Sequence, residues 1–307
     1  MPKPAVAAKP PIPSARPCGA TNSATHRFAL PGGRSFCWRR LRHVSACRPL
    51  HRDVIPLANR GDPPAAPLLI PGLMGSPRLC AAQMPSLWKA GPIAVADPTR
   101  ADSVAEVVRG ILADAPPRFA LAGHSFGGYV AFGIMRHAPE RVAALALLDT
   151  SARADVPEQS QRHRDQVTMA RTGPFAALAA LRFPAFVHRS RATDRTLQRY
   201  MRVMAEDTDA DVFARKQTAM IGRPEARGTL AAIGCPAVVE VADADAATPP
   251  ERAQEISVGI AGARLVTIAQ CGHMTPVEKP DVVAAVLAEP FGAAPGRSRE
   301  PASRGAA

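Results

Sequence analysis

The sequence predicts an α/β fold: a mostly parallel sheet flanked by helices, with an inserted helical cap. Three observations predict it. Short apolar runs recur from residue 67 onward, separated by stretches of helical spacing, as in parallel strands covered on both faces. That rhythm stops between Asp149 and Cys235, where about eighty residues read as helices. Finally, GHSFG at Gly123–Gly127 sits where an apolar run gives way to a helix.

In order, PLLI (Pro67–Ile70) is a strand leading into the loop PGLMGS. IAVAD (Ile93–Asp97) is a second strand. The helix after it starts at Ser103, which with Glu106 forms the S-x-x-E pattern of a capping box. Arg118–Ala122 is a third strand, and Gly127–His137 is a helix with Val130, Ile134 and Met135 on one side. AALALLD (Ala143–Asp149), PAVVEVAD (Pro236–Asp243) and ARLVTIA (Ala263–Ala269) complete the strands. The core is therefore expected over residues 61–150 and 233–290, with the cap over 151–232. Met169, Phe175, Phe183, Phe186, Tyr200, Met204, Phe213 and Met220 are cap positions expected mostly to pack helix on helix.

The 307 residues carry a formal charge of +12, but its distribution argues against a nucleic-acid or membrane partner. Residues 1–60 hold eleven Lys/Arg against Asp53 alone, and residues 291–307 add three Arg and one Glu, so residues 61–290 are neutral. The first sixty residues also hold nine prolines and little periodic apolar pattern. Such a composition does not offset the entropy of ordering, so both ends are expected to be disordered. Two readings of the basic leader stand: a targeting segment, and translation of sequence upstream of the true start. A chain beginning at Gly61 is expected to keep its melting temperature and turnover. A loss of several degrees would show that the leader packs on the fold and supplies further strands. Six cysteines without metal-type spacing suit a reduced, cytoplasmic protein with buried thiols.

Ser125 stands at the strand–helix junction, and Gly123 and Gly127 leave room for a sharp turn around it. A serine hydroxyl needs a base to take its proton. Of eight histidines, His26, His43 and His51 lie in the leader, His137 ends a helix, and His163 and His188 lie in the cap. His124, beside the serine, is expected to point away along the turn. That leaves His273, in the loop QCGHMTP after the last strand. An orienting carboxylate is expected at Asp245, a few residues past a strand end. Asp149 is the alternative, otherwise a helix cap, and Asp243 the other, otherwise a loop cap. The two N–H donors of an oxyanion site are expected at Phe126 and Leu73. Their side chains, with Met74 and Met274, are expected to form apolar walls that bind the substrate.

The pieces PLLIPGLMGS, ALAGHSFGGYVA, RVAALALLDTSA, CPAVVEVADADAATPPERA and CGHMTPVEKP together resemble the α/β-hydrolase fold superfamily, of the kind with a helical cap. The resemblance spans residues 67–290. It implies Ser125 as nucleophile, Asp245 as acid and His273 as base, in the chain order of that superfamily. Pro71-Gly72 departs from its usual His-Gly pair, and Ala242 from its usual glycine before the acid. The first two strands of its sheet are not evident upstream, so a short sheet is expected.

The expected function is a serine hydrolase cleaving a small to medium apolar carboxylic ester or related acyl compound. The same triad also serves carbon–carbon bond hydrolysis, lactone opening, acyl transfer or perhydrolysis. A small-molecule receptor on this fold is the non-enzymatic alternative, which has no need of the acid. No metal or organic cofactor is implied, and the expected partner is a small-molecule substrate.

Overall fold

A computed structural model describes residues 65–292. The leader 1–60 and all but the start of the tail 291–307 lie outside them. Six strands form one sheet: β1 (Ala66–Ile70), β2 (Ala94–Val95), β3 (Phe119–His124), β4 (Val142–Leu148), β5 (Ala237–Ala242) and β6 (Arg264–Ile268). Their order is β2-β1-β3-β4-β5-β6, and every pair is parallel. The chain leaves β1 for β2 on one side and returns to β3 on the other. The carboxyl ends of β1 and β3 therefore flank the point where strand order reverses, the place where open α/β sheets bind ligands. Ile70 lies beside Gly123 there.

Alternation along the strands decides what covers each face. Leu68, Ile70, Phe119, Leu121, Leu145 and Leu147 point to one core. Helices α2 (Val104–Asp114), α3 (Phe126–His137) and α8 (Pro250–Gly259) supply its other side. Ala120, Ala122, Ala144 and Ala146 point the opposite way. Those small residues let α1 (Met84–Leu87) and α10 (Pro280–Ala288) lie close to the sheet. Ser103 caps α2 by accepting from the Glu106 N–H at 3.3 Å. Edge strand β2 is shorter than IAVAD suggests, and Leu265 of edge strand β6 is 40% exposed.

Between β4 and β5 lie α4 (Pro157–Thr172), α5 (Phe175–Phe186), α6 (Arg195–Glu206) and α7 (Asp209–Ile221). Phe213, Leu178 and Ala170 pack with Leu73 and Met74 of the β1 loop, while Met204 packs with Leu79 and Met274. These helices thus sit over the carboxyl end of the sheet. Phe183, Met204, Phe213 and Met220 are buried, but Met169 faces solvent. The short helix α9 (Thr275–Glu278) precedes α10. Among the described residues no helix is long and apolar enough to cross a membrane, and Cys80, Cys235 and Cys271 are free thiols.

Candidate active site

Ser125 joins β3 to α3 at φ 52° and ψ −112°, a conformation that costs a side-chain-bearing residue roughly 1–3 kcal/mol. The flanking glycines make it possible. A Cβ on Gly123 would run into the Gly127 carbonyl, and one on Gly127 into the Ile70 carbonyl of β1. The end of β4 holds the turn in place. Ser125 N–H donates to the Leu148 carbonyl at 2.9 Å, and the Thr150 hydroxyl donates to the Ser125 carbonyl at 2.8 Å.

His273 comes from the loop between β6 and α9. Its Nε2 lies 2.9 Å from Ser125 Oγ, and its Nδ1 lies 2.8 Å from Asp245 Oδ2. An ionised Asp245 only accepts, so it selects the tautomer with hydrogen on Nδ1 and leaves Nε2 free to accept from serine. Asp245 is itself fixed. It accepts from the Ala247 and Thr248 N–H groups at 2.8 and 2.9 Å and from the Thr248 hydroxyl at 2.7 Å. Burial works against its charge, but His273 and these hydrogen bonds outweigh burial and hold the carboxyl pKa down to about 2. Burial likewise opposes the His273 cation, yet the charge and hydrogen bond of Asp245 raise its pKa above the usual 6.5.

The loop carrying His273 is tied on both sides. Asp243 accepts from the Gln270 and Cys271 N–H groups at 2.9 and 3.2 Å, the expected loop cap. Glu278 accepts from Gly272 N–H at 2.8 Å and from His188 N–H at 2.9 Å, while Met274 N–H donates to the Phe186 carbonyl at 3.1 Å. The end of α5 is therefore stitched to the residues flanking His273.

Two expectations need correction here. Asp149 is no helix cap: fully buried at φ 44°, it accepts from Ala242 N–H at 3.0 Å and from the Thr275 hydroxyl at 2.6 Å. His124 does not point away from the site. It lies on the Ala120–Ala122 face of β3, which turns it toward the His273 loop. Its Nε2 is 2.9 Å from the His273 carbonyl and 3.7 Å from Asp149 Oδ2. Behind them, buried Glu240 of β5 lies 3.1 Å from the same Thr275 hydroxyl. Burial raises the pKa of Asp149, and burial with the Asp149 charge raises that of Glu240 well above the ordinary range.

The loop after β1 is held by a residue that the sequence did not point to. Lys216 of α7 is fully buried and donates through Nζ to the Gly72 carbonyl at 3.0 Å. In a trans peptide the carbonyl and the next N–H point in opposite directions, so this bond turns Leu73 N–H away from the lysine. Burial pulls the Lys216 pKa down to about 7, and both of its protonation states can donate. Phe126 opens α3, so its N–H has no acceptor within the helix. Its side chain was expected to line the pocket. Instead it is fully buried, edge-on to Tyr129 at 6.5 Å, because the first turn of α3 directs it into the core that the sheet shares with α2 and α3.

A cavity of about 940 Å³, including its open mouth, reaches Ser125 and His273. Leu73, Met74 and Met274 line it as expected, with Leu79, Tyr129, Phe186, Met201, Met204 and Met220. The walls are not wholly apolar, since the loop before α4 adds Asp155, α4 adds Gln159 and His163, α5 adds Arg182, and the turn after α7 adds Arg223. Asp149, Asp245 and His273 bring ligand-type atoms within 4.8 Å of one another, the grouping among the described residues that has the makings of a metal site. The facing atoms already bond to Thr275 and to each other.

The family model described as "Alpha/beta hydrolase family" matches residues 28–286, taking in part of the segment assigned above as leader. No curated protein matches significantly. A thermophilic esterase from Thermogutta terrifontis, with malate bound, is similar at a TM-score of 0.66 and 26% identity, over 73% of this chain and 88% of that one. The enol-lactonase from Burkholderia xenovorans LB400 is similar at 0.63 and 21%, over 74% and 92%. A bromoperoxidase from Bacillus anthracis is similar at 0.63 and 15%, over 74% and 92%. These last two share the fold. With the sheet order, the strand–helix turn at Ser125 and a family match across most of its length, the chain belongs to the alpha/beta hydrolase family and is a hydrolase.

Proposed function

We propose that the protein is a serine hydrolase acting on a small to medium carboxylic ester through an acyl-enzyme. The hydrogen-bonded line Ser125–His273–Asp245, at 2.9 and 2.8 Å and open to a cavity, carries this reading. Ser125 Oγ attacks the ester carbonyl carbon while His273 Nε2 takes the hydroxyl proton. The carbonyl oxygen becomes an oxyanion, received by the N–H groups of Leu73 and Phe126. As the tetrahedral intermediate collapses, the carbon–oxygen bond to the alcohol breaks and the imidazolium returns its proton to that alcohol. A water, deprotonated by His273, then attacks the acyl-serine, and the acid leaves as Ser125 recovers its proton. Asp245 stabilises the imidazolium at each stage and remains ionised. A lactone, being an internal ester, opens by the same steps.

Support comes from the strained, braced serine turn and from the esterase identity of the Thermogutta relative. A fluorophosphonate is expected to label Ser125 and no other residue; labelling elsewhere overturns the assignment. The walls near the reacting groups are mostly apolar, and each buried methylene contributes about 0.8 kcal/mol. Across p-nitrophenyl esters, kcat/KM is therefore expected to climb over the first few acyl carbons and fall once the chain outgrows the cavity. A flat profile from acetyl to dodecanoyl would rule the acyl pocket out, and a clear preference for charged acyl groups would rule out its apolar character.

A further inference from the structure

Two arginines face the cavity from the helical segment, and they differ in what they touch. Arg223 is fully engaged. It pairs with Asp155, which also binds His163 Nδ1 at 2.7 Å, and it donates to the Arg153 and Met220 carbonyls at 2.9 Å. Its guanidinium also lies 4.3 Å over the Tyr129 ring. Arg182 of α5 has none of this. Its Nε and Nη1 are shut off from water and meet no acceptor, and no carboxylate pairs with it among the described residues. Its contact is the face of Phe186, with the guanidinium carbon 4.6 Å from the ring centroid. Burial lowers the Arg182 pKa to about 10, which leaves the cation intact at neutral pH.

A buried cation with idle donors is costly unless an anion satisfies them. The aromatic face offsets part of that cost but accepts no hydrogen bond. The position is also held. Phe186, one helical turn beyond Arg182, is stitched through its carbonyl to Met274, and its ring centroid lies 5.3 Å from that of His273. The two separations place the guanidinium carbon no farther than about 10 Å from the imidazole centre. We propose that Arg182 is the counter-ion for a carboxylate carried by the substrate, joined to the scissile ester by a spacer of a few carbons. Nη2 is the guanidinium nitrogen of Arg182 that is not shut off, and a carboxylate in the cavity meets the unpaired cation there. The substrate class is thus an ester or lactone bearing one further carboxylate, with apolar carbons between. The inference deepens the serine-hydrolase reading and rests on it.

Two matched substrate pairs test which end bears the anion. The mono-p-nitrophenyl ester of glutarate is compared with p-nitrophenyl butyrate for the acyl side. The butyrate ester of 3-hydroxypropanoate is compared with propyl butyrate for the alcohol side, followed by proton release. In one pair the wild type is expected to favour the carboxylate member about 10- to 100-fold in kcat/KM, the range of a charge-assisted hydrogen bond. Arg182→Gln is expected to bring that ratio close to one, and Arg182→Lys to restore part of it. No preference in either pair, or a preference that survives in Arg182→Gln, overturns the proposal. Calorimetry with glutarate reads the subsite without catalysis, and binding is expected to weaken at least tenfold in Arg182→Gln. Glutarate binding that depends on Arg182 in a protein whose Ser125 resists fluorophosphonate would sink the hydrolase reading and keep the anion site. Hydrolysis with no such binding does the reverse.

Discussion

Replacing Ser125 by alanine is expected to cost roughly 10⁶-fold in kcat on any ester the protein hydrolyses, by the precedent of a serine triad stripped of its nucleophile. Alanine keeps the Cβ, so the turn at φ 52° retains its strain, and Gly123 and Gly127 keep the space around it. The backbone bonds to Leu148 and Thr150 involve no Ser125 side-chain atom. The melting temperature should accordingly stay within a few degrees of the wild type, and the rate loss then belongs to chemistry. Steady-state rates with thermal melts of the same preparations decide it. A variant that keeps even a hundredth of the activity means that another residue, or a bound water alone, does the work.

Asp245→Asn is expected to lower the rate on the order of 10⁴-fold. An amide can present its NH₂ to His273 Nδ1, which stabilises the tautomer with hydrogen on Nε2, the wrong one for accepting the serine proton. Asp149→Asn should cost far less, because Asp149 reaches Thr275 and Ala242 rather than a ring nitrogen of His273. A large loss in Asp149→Asn with a small one in Asp245→Asn would move the acid to the end of β4. The pH profile gives a second reading. His273 must be neutral to act, so kcat/KM rises with pH through its pKa, here held above 6.5 against burial by Asp245. Removing the Asp245 charge leaves burial to dominate, so the rising limb should shift to lower pH in whatever activity remains.

Strands and the serine turn were legible because their causes are local. An apolar run of four to seven residues declares a buried strand, and two glycines around a serine declare a close approach of β1 and α3. His273 and Asp245 were legible as residues just past strand ends, where parallel topology gathers loops at one edge. Side chains whose role arises only from tertiary burial were not. In VFARKQTAM, Lys216 reads as a solvated helix position, and no neighbour in sequence tells that Gly72 waits for it. Glu240 interrupts an otherwise apolar strand without revealing Thr275, 35 residues later, as its neighbour. Arg182 and Arg223 read alike in the sequence as cap arginines, and only the packing of the helices gives one of them partners and leaves the other without. His124 and Phe126 were misplaced for a related reason: strand alternation and the first helical turn, rather than nearness to Ser125 in sequence, aim their side chains. The family match reaching back to residue 28 bears on the leader, and the chain beginning at Gly61 is the direct test of it.

The hydroxyl of Thr275 has one proton to give, and two buried carboxyl groups, Asp149 and Glu240, lie within reach of it at 2.6 and 3.1 Å. Of the two, Glu240 is pushed well above 4.5, first by burial and then by the Asp149 charge, so it holds a proton to higher pH in the folded chain than in the unfolded one. Above about 4.5 the unfolded chain loses this proton while the folded chain holds it to higher pH, so folding in that window takes up a proton from solution. That contribution to stability is full below about 4.5 and drains away as pH rises toward the folded value. Asp245 runs the other way: its share is full above 3.8 and is lost as pH falls through about 2. Two carboxyls in one loop-and-strand cluster thereby tilt the native state in opposite directions, one toward acid and one away from it.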